Sequence, residues 1–181
     1  MIRSLLFISV ILVFLLAACG HSDSDTFIIS KNDSLSKVSL DDSTVVIVPP
    51  KVKYAAYTFI IDSTGNFYFY CMPEERPHSF FDGDEPEYIG LQPNRVFSIP
   101  KGAEREFFDK NVLYQKSSRN IKTIMVASYK DTINSAFLMH LIELSKKVKE
   151  SKIWTTVRLA LPEEHAVIKS KINGLYYEPK F

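Results

Sequence analysis

The chain has 181 residues, 46% hydrophobic and 24% charged, with a formal net charge of +1. That length suits one globular domain plus a targeting segment, and a charge so near neutrality gives no field to draw in nucleic acid or an acidic substrate. The 13 Phe and 9 Tyr are accounted for more simply by a buried aromatic core than by a stacking surface.

Residues 1–18 read as a signal peptide. Arg3 is the early positive charge and residues 5–18 are apolar apart from Ser9, a run shorter than the roughly 20 residues a membrane-spanning helix needs. Leu16-Ala17-Ala18-Cys19 closes the run and resembles the lipobox of bacterial lipoproteins. The resemblance implies removal of residues 1–18 and lipidation of Cys19, by a diacylglycerol on its thiol and an acyl chain on its amine, enough chains for stable membrane attachment. Gly20 stands where the enterobacterial sorting rule places an Asp for inner-membrane retention, which favours the outer membrane. Ser22-Asp23-Ser24-Asp25 is similar to surface-export signals, so the periplasmic side and the cell surface both stay open.

Residues 19–43, rich in Ser and Asp, are expected to be a flexible tether, within which Phe27-Ile28-Ile29 can dock on the domain. The domain itself is expected over residues 44–181. Residues 44–48 are a short β-branched run ended by Pro49-Pro50, an edge strand or the end of the tether. A hairpin follows: residues 57–61 and 67–70 flank Asp62-Ser63-Thr64-Gly65-Asn66, where Gly65 can take a positive φ. Both strands are apolar on both faces, so one face is expected to pack on helices, with the hydroxyls of Tyr68 and Tyr70 at a wet rim or against a partner.

Residues 72–100 form a long Pro-rich acidic loop carrying Asp82, Asp84 and Glu85, and a loop of that length inside a compact domain is often functional. A helix is predicted over residues 101–116, with Phe107, Phe108, Val112 and Leu113 as its apolar stripe. Residues 121–129 and 153–160 are β-branched-rich strands, and between them Phe137, Leu141, Leu144 and Val148 continue a helical face begun by Ile133 and widened by Leu138 and Ile142. Asp131 or Thr132 is expected to cap that helix. Strand, crossover helix and strand make one parallel β-α-β unit. A last helix starts at Pro162, where Glu163 and Glu164 favour the positive helix end, and stops at Asn173-Gly174. The expected fold is therefore two-layer α/β (α+β), in the order β-β-α-β-α-β-α, with a mixed sheet and helices packed on one face.

That order resembles the periplasmic domain of the ExbD/TolR family, accessory subunits of proton-driven envelope motors. The residues that carry it are Phe59-Ile60-Ile61-Asp62-Ser63-Thr64-Gly65-Asn66-Phe67-Tyr68-Phe69, then Met125-Val126-Ala127-Ser128-Tyr129 through Val157-Arg158-Leu159-Ala160. In the family a strand, a D-x-x-G turn and a strand open the domain, and a strand, helix and strand close it. Family members cross the inner membrane by a helix bearing a proton-handling Asp, whereas residues 5–18 contain no acidic residue. Motor function does not carry over. A homodimeric module that engages envelope proteins or peptidoglycan is what the resemblance implies.

With Cys19 lipidated, Cys71 is the single remaining thiol, so no internal disulfide can form. It reads as a small apolar core residue at a strand end. A nucleophilic Cys71 would need a histidine, and His78, His140 and His165 show no spacing that singles one out. Asp82-Gly83-Asp84-Glu85 offers oxygen ligands for Ca²⁺ but lacks the alternating register of an EF-hand loop. No zinc spacing, G-x-S-x-G, phosphate loop or dinucleotide fingerprint is present in the sequence. The expected function is a lipid-anchored envelope binding domain, without catalytic residues or a cofactor, that meets the membrane through Cys19 and an envelope protein through Tyr68, Tyr70, Asp82, Asp84 and Glu85. The alternatives are an envelope enzyme using the loop of residues 71–100 and a calcium-stabilised binding module.

Overall fold

The computed structural model describes residues 53–72, 88–115 and 121–180, together with three N-terminal strands, β1 (Thr26–Ile29), β2 (Leu35–Val38) and β3 (Val46–Ile47). Cys19, His78, Asp82, Asp84 and Glu85 lie outside the described residues.

The centre is a sheet of five strands, β4 (Tyr57–Ile61), β5 (Phe67–Cys71), β6 (Phe97–Ile99), β7 (Lys122–Ser128) and β9 (Ile153–Leu159). Their order is β6-β5-β4-β7-β9. The β4–β5 and β5–β6 pairs are antiparallel, while β4–β7 and β7–β9 are parallel, with Val126 opposite both Phe59 and Val157. A mixed sheet with a parallel β-α-β unit is thus the architecture of the domain.

Side chains alternate along each strand, so two faces form. Phe59, Ile61, Phe67, Phe69, Ile124, Val126, Ile153 and Val157 line one. Ile60, Tyr68, Tyr70 and Ala127 line the other. Burial on both faces is why these strands read as continuous apolar runs. The first face is covered by α1 (Glu104–Phe108), which runs on into a π-helical turn Asp109–Leu113, and by α2 (Ala136–Lys146). Phe108, Val112, Phe137, Leu138 and Leu141 pack there, with the Phe59 ring 5.0 Å from both the Phe69 and Phe137 rings. Each such aromatic pair adds about 0.5–1.5 kcal/mol beyond area burial. Of the three helices expected on one face, these two lie there and the third does not, because its apolar residues Val167 and Ile168 pack on the opposite side of the sheet. A further helix, α4 (Pro162–Asn173), places Val167 and Ile168 on the opposite face with Ile89, Leu91 and Val96.

The crossover from β7 to β9 is more divided than its periodicity suggests. Thr132–Asn134 is a strand, β8, followed by α2 and by the short α3 (Val148–Ser151). β1 pairs antiparallel with β8, Thr26 opposite Asn134, in a second sheet ordered β3-β2-β1-β8. That pairing takes Ile133 out of the helix, so the cap is neither Asp131 nor Thr132 but Ser135, whose Oγ accepts from Leu138 N at 3.2 Å. Within the stretch expected as a tether, Phe27 and Ile29 are buried in the main core and Ile28 points out. The alternation of those three residues is what lets the segment bind as a strand.

Candidate functional site

The carboxyl ends of β4 and β7 and the flank of α4 enclose a groove of about 920 Å³, lined among others by Asp62, Asn66, Tyr129, His165, Lys169 and Ile172. In α/β sheets the carboxyl ends of parallel strands, where loops diverge, are the usual place for a ligand, and this volume lies within the range of small-molecule sites.

One wall is the β4–β5 turn. Gly65 takes φ 84°, and the Asp62 carboxylate organises the loop. Its Oδ1 accepts from Thr64 N at 2.8 Å, Thr64 Oγ1 at 2.7 Å and Asn66 N at 2.9 Å, and its Oδ2 from Asn66 Nδ2 at 3.0 Å. Burial pushes this carboxyl up, but the hydrogen bonds from Thr64 and Asn66 together outweigh it and hold it below the ordinary value. Asp62 is therefore an anion spent on its own turn.

The floor is Tyr129 at the end of β7, with the His165 ring stacked on it at a centroid separation of 3.7 Å. The Tyr129 hydroxyl lies out of solvent and has no hydrogen-bond partner among the described residues. Burial, then the negative charges of Glu164 and Asp62, push its pKa up. His165 is lowered by burial, against a smaller opposing effect of Glu164, so its imidazole is neutral at neutral pH.

Behind the groove, α4 is bolted to the sheet. Arg158 Nη1 and Nη2 donate to Glu164 Oε2 and Oε1 at 2.7 and 2.8 Å, and Arg158 Nε donates to Lys53 O at 2.7 Å. Leu161 N donates to Glu164 Oε2 at 2.8 Å, the helix-capping contact. The Tyr70 hydroxyl donates to Glu164 Oε1 at 2.8 Å, and burial and that carboxylate push its pKa well up. The neighbouring Glu163 accepts from Ile89 N and Leu91 N at 2.9 and 2.7 Å.

Of the binding residues expected from the sequence, Tyr68 and Tyr70 both turn inward instead of to a rim. Tyr68 reaches Asp62 Oδ2 at 3.3 Å and Tyr70 is fully buried on Glu164. Their alternation places them on the face that α4 covers. Cys71, expected in the core, is exposed, because β5 ends there. His140 lies on α2, its ring 6.2 Å from that of Phe108, and burial lowers its pKa. Among the described residues no group of His, Cys, Asp and Glu is arranged to hold a metal ion, and no helix is long and apolar enough to cross a membrane. Tyr129, His165 and Lys169 were not singled out by any motif. The available signal was positional: a tyrosine closing a parallel strand beside a helix that starts at Pro162. Comparison with protein-family models, with curated proteins and with solved structures finds no match for this chain.

Proposed function

We propose that this chain is a lipid-anchored bacterial envelope protein, attached through Cys19, whose α/β domain binds a partner in the groove beside α4 and does not turn over a substrate. The observation that carries the reading is the division of labour around that groove. The acids nearest to it, Asp62, Glu163 and Glu164, are committed to the turn, to backbone amides and to Arg158. What faces out is an aromatic and apolar lining with a neutral imidazole and Lys169, a surface suited to contact. The hairpin and the β-α-β unit behind the ExbD/TolR resemblance are parts of one sheet, and an ExbD/TolR-like module engaging envelope proteins or peptidoglycan is the proposed form of that binding.

A photo-crosslinking residue at position 169 in the full-length protein tests this in cells. One defined envelope adduct is expected, lost in Ile172→Glu and not formed from position 143 on the outer side of α2. Equal labelling from both positions would remove the groove as the recognition site, and a turnover abolished by Cys71→Ser or His78→Ala in a folded protein would replace binding with catalysis. The anchor is tested by palmitate labelling and globomycin-sensitive processing, both expected to vanish in Cys19→Ala.

A further inference from the structure

We infer that α4, residues 88–96 and the segment that follows α4 form one body that lifts off the sheet as a unit in the native protein, which makes α4 the movable wall of the groove. The inference deepens the groove reading above, since it says how the groove opens and closes.

The body is held together by contacts among its own parts. Glu163, in the first turn of α4, accepts from Ile89 N and Leu91 N, and Lys171, in the last turn, donates from Nζ to Pro93 O at 3.3 Å. The helix thus grips residues 88–96 from both of its ends. After α4 the chain turns back: Leu175 N donates to Ser170 O at 3.0 Å, Ser170 Oγ donates to Leu175 O, and Lys180 Nζ lies 5.2 Å from the centre of the Tyr88 ring.

The seat of this body on the sheet is of another kind. Val167, Ile168, Ile89, Leu91 and Val96 rest on Ile60, Ala127, Tyr68 and Tyr70, and Glu164 adds its ion pair with Arg158 and the hydrogen bond from Tyr70. On the opposite face Phe59, Phe67, Phe69, Phe108 and Phe137 interlock ring against ring. The cost of taking two charges out of water offsets much of their attraction, whereas burial of aromatic rings is a net gain. The seat of α4 is therefore the weaker face. Among the described residues the chain passes between body and sheet at two points, Val96 before β6 and Leu161 after β9, where Ala160 N still donates to Ser128 O at 2.8 Å. By contrast, α2 is tied at both ends, to β8 before it and through α3 to β9 after it.

The groove takes one wall from each part. Asp62, Asn66 and Tyr129 belong to the sheet, while His165, Lys169 and Ile172 belong to the body. A partner that touches both walls binds the seated state and holds it, because a ligand shifts an equilibrium by its difference in affinity for the two states. Lifting the body parts the walls and releases the partner.

Hydrogen exchange of the full-length protein in detergent, read by mass spectrometry across sub-denaturing urea concentrations, tests the movement with no partner present. Residues 88–96 and 163–172 are expected to exchange together, with one urea slope, at least about tenfold faster than β4, β7 and α2. Exchange of both stretches at the rate of β7 overturns the separate opening, and unequal rates or slopes in the wild type overturn the single body. In Glu163→Ala/Lys171→Ala the two stretches are expected to part, with residues 88–96 the faster; stretches that stay together overturn the role given to those two side chains. Either failure leaves the groove adduct from position 169 standing, whereas loss of that adduct overturns the binding reading and not the movement.

Discussion

Glu164 accepts hydrogen bonds from Arg158, Tyr70 and the Leu161 amide while 1% exposed. Burial works against the Arg158 cation, but the charge and hydrogen bonds of Glu164 outweigh it and raise the pKa of the guanidinium. Removing one partner leaves the other charge buried and alone, so Glu164→Gln should lower unfolding free energy by about 3–5 kcal/mol in urea titrations. Arg158→Met combined with Glu164→Gln should cost less than the two single changes together, and strict additivity would show that the charges do not see each other. Asp62 gives a prediction in pH. Its folded carboxyl lies below the ordinary 3.8, so the stability it adds is fully present above that value and is lost as pH falls through the folded pKa. The melting-temperature gap between wild type and Asp62→Asn should be widest above about pH 5 and close on acidification; a gap that stays constant down to pH 2 would assign the loss to shape and not to charge. The sequence showed Glu163 and Glu164 as helix-start acids, and that placement is right. It could not show that they are buried, because the cation and the amides they meet belong to β9 and to residues 89–91, distant in sequence or across a turn.

Among the elements, α4 depends on contacts of this kind more than on its own sequence. Pro162 opens it and Gly174, at φ 61°, closes it in the left-handed region that glycine takes freely. Glu163 then fastens the segment of residues 88–96 across the face that α4 covers. Glu163→Ala leaves the Ile89 and Leu91 amides without their acceptor, at a cost of about 1–3 kcal/mol for each buried group left unpaired. Hydrogen exchange should report faster exchange at those two amides and little change in β7, whereas uniform acceleration through the sheet would make the contact part of global unfolding. The start and stop of α4 were legible because Pro, acidic residues and Asn-Gly act locally. The crossover was legible in outline only. Ile133, Phe137 and Leu141 share helical spacing, yet Ile133 belongs to β8, since Phe27 of β1, 106 residues earlier, supplies the pairing that local periodicity does not register.

At the scale of the whole molecule, the same asymmetry separates what the sequence discloses from what it does not. The hairpin and the β7-to-β9 unit emerge from local cues, continuous β-branched and aromatic runs of strand length separated by a turn cluster or a helical pattern. The second sheet, the helix on the far face and the groove between them depend on which elements meet, and no spacing within one element carries that information. β1 is the sharpest instance. Its surroundings are Ser- and Asp-rich, a composition suited to a tether, but Phe27 and Ile29 are 2% and 3% exposed within the main core. If this strand is an integral part of the domain, Phe27→Ala removes a buried ring and should cost about 3–5 kcal/mol. Ile28→Ser, on the outward side of the same strand, should change stability by no more than about 0.5 kcal/mol. Urea midpoints for the two variants, measured with unchanged slopes, give the comparison. Similar small shifts for both would mean that β1 rests on the domain without belonging to its core.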